Sequence, residues 1–186
     1  APSQRLLSTA VHHNNSMFVF GGSESSGYKQ DVFKLNFLTK EWMEVSTVGS
    51  PPSARFKHST ILYEDKMVIF GGEGSGGKVG DLFYFHLKTS TWEEVTASGS
   101  APTAREYHSA VRYNDSMYIF GGNPGTGLKN DFFKFSFTNN TWEEIITTPV
   151  EKPTEREQHT AQMFEDLMVV FGGVDSNGLL NDVWIL

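Results

Sequence analysis

Apolar and polar residues alternate in short runs along the chain, and polar turn residues separate the runs. In the second quarter of the sequence these runs span residues 58–64, 67–72, 81–87 and 91–95. Short runs with a period of two, bounded by turn residues, are typical of β-strands joined as antiparallel hairpins. No segment keeps the periodicity of an amphipathic helix. The pattern therefore predicts an all-β protein with four strands in this segment.

The same pattern of runs occurs four times, and fixed residues mark each copy. Phe-Gly-Gly recurs about every 50 residues. An Arg precedes it, an Asp follows it, and in the first three copies a Trp stands 11 residues after the Asp. Three of the arginines have a His three residues later, where the first copy has Ser8. The landmarks are Arg5, Arg55, Arg105 and Arg156; His58, His108 and His159; Gly21, Gly22, Gly71, Gly72, Gly121, Gly122, Gly172 and Gly173; Asp31, Asp81, Asp131 and Asp182; Trp42, Trp92 and Trp142. We predict a single domain, 1–186, with repeats 5–54, 55–104, 105–155 and an incomplete 156–186.

One loop of the second copy, "GGEGSGGKVG", is similar to a phosphate-binding P-loop. That motif needs Ser or Thr after the lysine and a helix behind the loop, whereas Val79 follows Lys78 and a predicted strand comes next. The equivalent loops of the other copies lack the motif. We therefore interpret the likeness as a consequence of loop glycines and expect no nucleotide cofactor.

Composition narrows the function classes further. The chain has 186 residues, 38% hydrophobic content, a net charge of -7 and no cysteine. Without cysteine there is no disulfide, thiol nucleophile or cysteine-based zinc site. Nucleic-acid binding needs a basic surface, and a membrane span needs roughly 20 apolar residues; neither is present. We expect a protein of the cytoplasm or nucleus, with no cofactor and no nucleic-acid or membrane partner.

These motifs together resemble the Kelch repeat family. The likeness rests on the Arg-x-x-His, the Phe-Gly-Gly, the Asp that opens the third run and the Trp in the fourth, and it covers essentially the whole chain. It implies a β-propeller of four kelch-type blades in which the repeated residues are structural. Because the fourth copy has no Trp run, we expect its blade to lack an outer strand. Four blades either close as a small ring, associate through open blade faces, or belong to a larger propeller.

Three histidines in register raise the question of a metal site. Metal ligands must converge within about 2 Å of one ion. His58, His108 and His159 fall on separate predicted blades. We therefore expect them to be structural and expect no metal.

Function is expected in loops, where the sequence differs between copies while the scaffold stays the same. Two sets of loops, one after each Gly-Gly and one around each Arg, are predicted to share one face. Tyr28, Phe56 and Tyr107 are candidate aromatic anchors amid mixed charge, which is typical of protein interfaces. The candidate residues are Glu24, Tyr28, Lys29, Phe56, Lys57, Glu73, Lys78, Glu106, Tyr107, Asn123, Lys129, Glu157, Gln158 and Asp175.

The resemblance implies two functions. The first is a non-catalytic adaptor or scaffold that binds a partner protein or peptide on the loop face. The alternative is a kelch-type enzyme of the mutarotase or metal-dependent lyase or specifier class, acting at the mouth of the channel. Copper oxidases of the kelch type use a Cys-Tyr cofactor, which a chain without cysteine cannot form.

Overall fold

The computed structural model describes residues 1–146 and 152–186, and in these residues every regular element is a β-strand. The chain forms two compact units, Ala1–Val95 and Thr96–Leu186. The boundary between the units lies within the predicted second repeat, 55–104, after the last of its four predicted runs. None of the described segments is a helix with the length and apolarity to cross a membrane.

The first repeat forms a four-stranded antiparallel sheet with the strand order β1-β2-β5-β6. Two short strands, β3 and β4, form a separate hairpin in the loop that follows the Gly-Gly pair. The strands of this repeat are β1 (Thr9–His13), β2 (Ser16–Phe20), β3 (Ser23–Glu24), β4 (Gly27–Tyr28), β5 (Val32–Asn36) and β6 (Trp42–Glu44).

The second repeat has the same topology, in the order β8-β9-β12-β13, and a small three-stranded sheet in its loops, in the order β7-β10-β11. The four main strands match the four runs of apolar residues that the sequence predicts. The strands are β7 (Arg55–Phe56), β8 (Ser59–Tyr63), β9 (Lys66–Phe70), β10 (Glu73–Gly74), β11 (Gly77–Lys78), β12 (Leu82–His86) and β13 (Thr91–Glu94).

The second unit holds one complete and one shorter sheet. The complete sheet has the order β15-β16-β17-β18, and β14 adds to its outer edge in parallel with β18. The last sheet, β19-β20-β21, has three strands in the described residues, as the absence of a fourth Trp run predicts. The strands are β14 (Ser98–Gly99), β15 (Ser109–Tyr113), β16 (Ser116–Gly122), β17 (Lys129–Ser136), β18 (Thr141–Glu144), β19 (Thr160–Phe164), β20 (Leu167–Asp175) and β21 (Gly178–Ile185).

Apolar faces of consecutive sheets pack together within each unit. In the first unit Phe20, of the first sheet, packs against Trp92 of the second at 5.2 Å between ring centroids. In the second unit Phe120 belongs to a cluster with Met168 and Val170 of the last sheet. Each fully buried side chain of this size contributes about 2 kcal/mol. The period-two pattern of the strands thus places a core between each pair of neighbouring sheets.

The Gly-Gly pairs let one repeat dock closely on the next. Gly21 has φ +64°, and a Cβ atom there would lie 2.7 Å from the carbonyl oxygen of Arg55. Its neighbour Gly22 donates its backbone N–H to that same oxygen at 2.9 Å. Gly122 and Arg156 repeat the contact in the second unit at 2.8 Å. The close approach of the two backbones explains why glycine stands at these positions.

Candidate protein-interaction loops

The repeated arginines hold the loops in place through buried ion pairs. Arg55 Nη1 donates to Asp81 Oδ1 at 2.5 Å and to the Gly71 carbonyl at 3.1 Å, and Nη2 donates to Asp81 Oδ2 at 2.8 Å. Ser53 accepts the remaining two hydrogen bonds through its carbonyl and hydroxyl oxygens. The matching pairs are Arg5–Asp31, Arg105–Asp131 and Arg156–Asp182. The charge of this arginine is paired and its side chain is buried, so it holds Ser53, Gly71 and Asp81 together.

Backbone hydrogen bonds bring the two predicted loop sets together in every repeat. In the second repeat Phe56 lies opposite Glu73 across the β7–β10 pair. In the other repeats isolated bridges make the same connection, and their residue pairs are Leu6 with Ser23, Glu106 with Asn123, and Glu157 with Val174. The loop after the Gly-Gly pair and the loop around the arginine therefore form one continuous surface in each repeat.

The residue just before each histidine position belongs to this surface and has a left-handed backbone conformation. Leu7, Lys57, Tyr107 and Gln158 have φ between 55° and 58°. The Lys57 N–H donates to the Leu7 carbonyl at 3.2 Å, and the Gln158 N–H donates to the Tyr107 carbonyl at 3.1 Å. Non-glycine residues adopt this conformation where the surrounding structure fixes it, which is frequent in binding sites.

In the first unit the loop surface carries a stacked aromatic pair. Tyr28 and Phe56 have ring centroids 4.5 Å apart and an interplanar angle of 16°. Lys57 Nζ lies 4.4 Å from the Phe56 ring centroid and 2.8 Å from Glu73 Oε2. Tyr28 nevertheless remains 36% exposed. The two aromatic side chains therefore pack on each other and still present a face to solvent.

Charged residues surround this pair. Lys29 and Glu24 form an ion pair, which together with the hydroxyl of Ser26 holds the pKa of Glu24 well below its usual range. Lys78 lies on β11, opposite Glu73. Positive lysine and negative glutamate side chains are therefore paired on these loops, and neither sign of charge predominates there.

In the second unit the loop surface is more polar. Asn123 Nδ2 donates to Glu157 Oε2 at 3.0 Å, and Gln158 lies beside the same carboxylate. Asp175 accepts backbone N–H groups of the turn that follows it, which lowers its pKa. Tyr107 is half-buried in its loop. Lys129 is half-buried at the first position of β17.

The exposed fractions of the side chains remove one predicted residue from the candidate surface and add two leucines to it. Glu106 is only 6% exposed, so its side chain lies inside the protein rather than on the predicted partner surface. Leu6 and Leu7 are 59% and 39% exposed at positions equivalent to Phe56 and Lys57. These two leucines follow Arg5 in the sequence as Phe56 and Lys57 follow Arg55, and this correspondence is the sequence signal that identifies them. An open groove of about 750 Å³ lies beside Leu6.

The repeated histidines connect neighbouring sheets. His58 shares a hydrogen bond of 2.6 Å with Thr9 Oγ1, and His159 shares one of 2.8 Å with Ser109 Oγ. Burial, reinforced by the nearby arginine of the same repeat, lowers the pKa of His58 to about 3 and that of His159 to about 4. His108 is also buried. Within residues 1–146 and 152–186 no three metal-binding side chains converge.

Comparison with known families shows to which family this chain belongs. The family model described as the KLHDC2/KLHL20/DRC7 Kelch-repeats domain matches residues 1–149 and, in a second match, residues 81–186. The chain belongs to the Kelch-repeat family. Its fold is the kelch β-propeller, and the four sheets are kelch blades. A comparison with curated proteins gave no match. Kelch-repeat domains are commonly protein-interaction modules.

Proposed function

We propose that this kelch domain is a non-catalytic interaction module, an adaptor or scaffold, that binds a partner protein or peptide through its loop surface. One observation carries the proposal: the repeats present different combinations of side chains on the same backbone frame. Phe56 in one repeat has Glu157 as its counterpart in another, while the arginine and aspartate beneath them do not change. A constant frame with variable tips is how binding loops are built on rigid scaffolds.

The side chains on the frame favour a protein partner. Exposed aromatic rings inside a rim of paired charges match the anchors and rim of protein interfaces. Tyr28, Phe56 and Leu6 supply apolar area in the first unit, and the lysines beside them are paired with glutamates. Those pairs, with the net charge of -7, disfavour a nucleic-acid phosphate backbone. We further propose that residues 1–186 act as one domain in the cytoplasm or nucleus.

The test compares proteins retained by the wild-type chain with those retained by a variant that carries Tyr28→Ala, Phe56→Ala and Tyr107→Ala. We expect a specific partner to be lost, because truncating a central aromatic anchor costs about 2 kcal/mol or more. The control carries three substitutions of exposed apolar residues away from these loops: Leu38→Ala, Met43→Ala and Phe164→Ala. The control is expected to retain the partner.

Two results would count against this function. Equal retention by the loop variant and the control would mean that the partner binds elsewhere. A thermal shift of several degrees with a sugar or a divalent metal, with no protein partner, would favour the kelch-type enzyme of the mutarotase or metal-dependent class. Circular dichroism of both variants establishes that each retains its strands.

A further inference from the structure

In the second unit an open groove lies between the loops of the third repeat and those of the fourth. Its volume is about 480 Å³. We call it the Leu128 groove. Its side chains are exposed or half-buried, so solvent reaches it. The residues that carry the argument are Leu128 and Asn130 from the third repeat and Thr154, Glu155, Asp175 and Asn177 from the fourth.

The first unit has an aromatic pair where the second unit has this groove. Tyr28 stands in the first repeat where Leu128 stands in the third, and Phe56 stands where Glu157 stands in the fourth. The rings of Tyr28 and Phe56 stack at 4.5 Å between centroids. A leucine and a glutamate cannot form such a stack, and the groove is open beside Leu128.

The Leu128 groove carries two carboxylates that have no acidic counterpart in the first unit. Glu155 corresponds to Ala54, and Asp175 corresponds to Gly74. Glu155 is exposed, and no residue at 1–146 or 152–186 forms an ion pair with it. Among the described residues that line the groove there is no lysine or arginine. The walls of the groove are therefore negatively charged.

Asp175 is held in its ionised form on one wall. Its Oδ1 accepts the backbone N–H of Asn177 at 2.7 Å and that of Gly178 at 3.1 Å. The bond from Asn177, together with those from Gly178 and the Thr154 hydroxyl, lowers the pKa of Asp175. The turn that follows Asp175 thus keeps a charged carboxylate beside the groove at neutral pH.

The lysines of these loops lie beside a neighbouring cavity. Lys129 and Lys152 line this second cavity, which has a volume of about 330 Å³ and shares Asn130 and Glu155 with the Leu128 groove. Lys152 Nζ donates to Asn130 Oδ1 at 3.2 Å. Asp175 lines the groove and not the second cavity. A cation in the groove would therefore meet Asp175 first, with Glu155 as the second carboxylate.

Arginine has the side chain that matches this lining. Its methylene stem packs on apolar surface, which Leu128 supplies, while its charged head stays accessible to water. Its planar guanidinium donates several hydrogen bonds in a fork that fits carboxylates. The amide oxygens of Asn130 and Asn177 are further acceptors. Lysine carries a compact charge without this fork and would satisfy fewer of these groups.

We propose that the Leu128 groove binds an arginine side chain of the partner protein, with the stem on Leu128 and the guanidinium at Asp175 and Glu155. The inference rests on the function proposed above, because it names one chemical group that the partner presents to the loop surface. It gives the second unit a charged contact of its own beside the aromatic contact of the first.

The experiment titrates the peptide acetyl-Gly-Gly-Arg-Gly-Gly-amide into the intact, isotope-labelled chain and follows the backbone amide signals by NMR. We expect saturable shifts at Leu128, Asp175 and Asn177. A peptide with citrulline in place of arginine keeps the shape and loses the charge, so it should bind roughly tenfold more weakly. A lysine peptide keeps the charge and loses the planar fork, so it should also bind more weakly than the arginine peptide.

A pair of double variants locates the binding. Glu155→Gln with Asp175→Asn removes both charges but keeps the size and an acceptor oxygen at each position, and should weaken the arginine peptide about tenfold. The control, Glu143→Gln with Asp166→Asn, removes the same charge from exposed positions outside the groove. It should leave the affinity unchanged. The amide spectrum of each variant shows whether the strands are retained.

Three results would overturn the proposal. They are the absence of saturable shifts at the groove, equal affinity for the arginine and citrulline peptides, and equal weakening by the two double variants, which would mean that net charge alone attracts the peptide. None of them bears on the proposed interaction function. That function fails instead if the variant with Tyr28→Ala, Phe56→Ala and Tyr107→Ala retains the partner.

Discussion

At the scale of single residues, one arginine in each repeat donates hydrogen bonds to several backbone and side-chain groups. The five hydrogen bonds of Arg55 reach Ser53, Gly71 and Asp81, which belong to three different segments of the repeat. Its side chain is fully buried, while the carboxylate of Asp81 is partly exposed. Removing one member of a buried ion pair leaves the other charge uncompensated, which costs more than the pair itself contributes.

We therefore predict that Arg55→Gln lowers the free energy of unfolding by about 3 kcal/mol. The matched control is Lys88→Gln, which removes the lysine of an exposed pair with Asp65 in the same unit. Exposed pairs contribute at most about 1 kcal/mol. Urea unfolding at pH 7, followed by tryptophan fluorescence, measures both. Equal losses in the two variants would show that the buried arginine is not the element that holds the loops.

At the scale of elements, the linkers between repeats pair with the outer strands of the sheets. Ser98–Gly99 forms β14, which pairs in parallel with the outer strand of the following repeat. Val48 makes the equivalent bridge to Thr91. Each linker thus covers an outer edge that would otherwise be open to another chain. Gly99 has φ +81°, and a Cβ atom there would lie 2.1 Å from the carbonyl oxygen of Trp142.

We predict that Gly99→Ala detaches this linker from β18. The backbone of Ser98 and Ser100 should then lose hydrogen-exchange protection, because their N–H groups donate to Asn140 and Trp142 in the paired state. The control is Gly127→Ala, which also has a positive φ but no atom within 4 Å of the added methyl group. We expect a loss of about 2 kcal/mol more for Gly99→Ala than for the control. Unchanged protection of both serines would contradict the pairing.

The sequence predicts the main strands and the short last sheet, because local alternation and repeated landmarks report them directly. It does not predict the parallel pairing of β14, since two residues of a linker carry no periodic signal. It also misses the burial of Glu106 and the exposure of Leu6 and Leu7. Those properties depend on which loops lie beside each side chain, and the repeat specifies the backbone at these positions rather than the surroundings of the side chains.

At the scale of the whole molecule, one buried histidine joins the two sheets of each unit. His58 in the first unit and His159 in the second have pKa values of about 3 and about 4, so both are neutral in the folded protein at pH 7. In the unfolded chain a histidine has a pKa near 6.5. Between these values the unfolded chain binds protons that the folded protein does not, and this difference favours unfolding.

We predict that the free energy of unfolding is insensitive to these histidines above about pH 7 and falls as the pH drops below about 6.5. Each histidine contributes a slope of at most about 1.4 kcal/mol per pH unit, which ends once the folded protein is also protonated. Asp182, whose pKa Arg156 lowers, adds its own loss of stability only at more acidic pH. Glu24, Asp65 and Asp175 also have lowered pKa values, and their contributions are lost as the pH falls below about 5. Urea unfolding between about pH 7.5 and 5.5 therefore measures the histidines with little contribution from these carboxylates. His58→Gln should reduce the slope by one histidine's share. If His58→Gln does not alter the slope, His58 binds a proton equally well in the folded and the unfolded protein. Its contact between the two sheets would then not be the origin of the acid sensitivity.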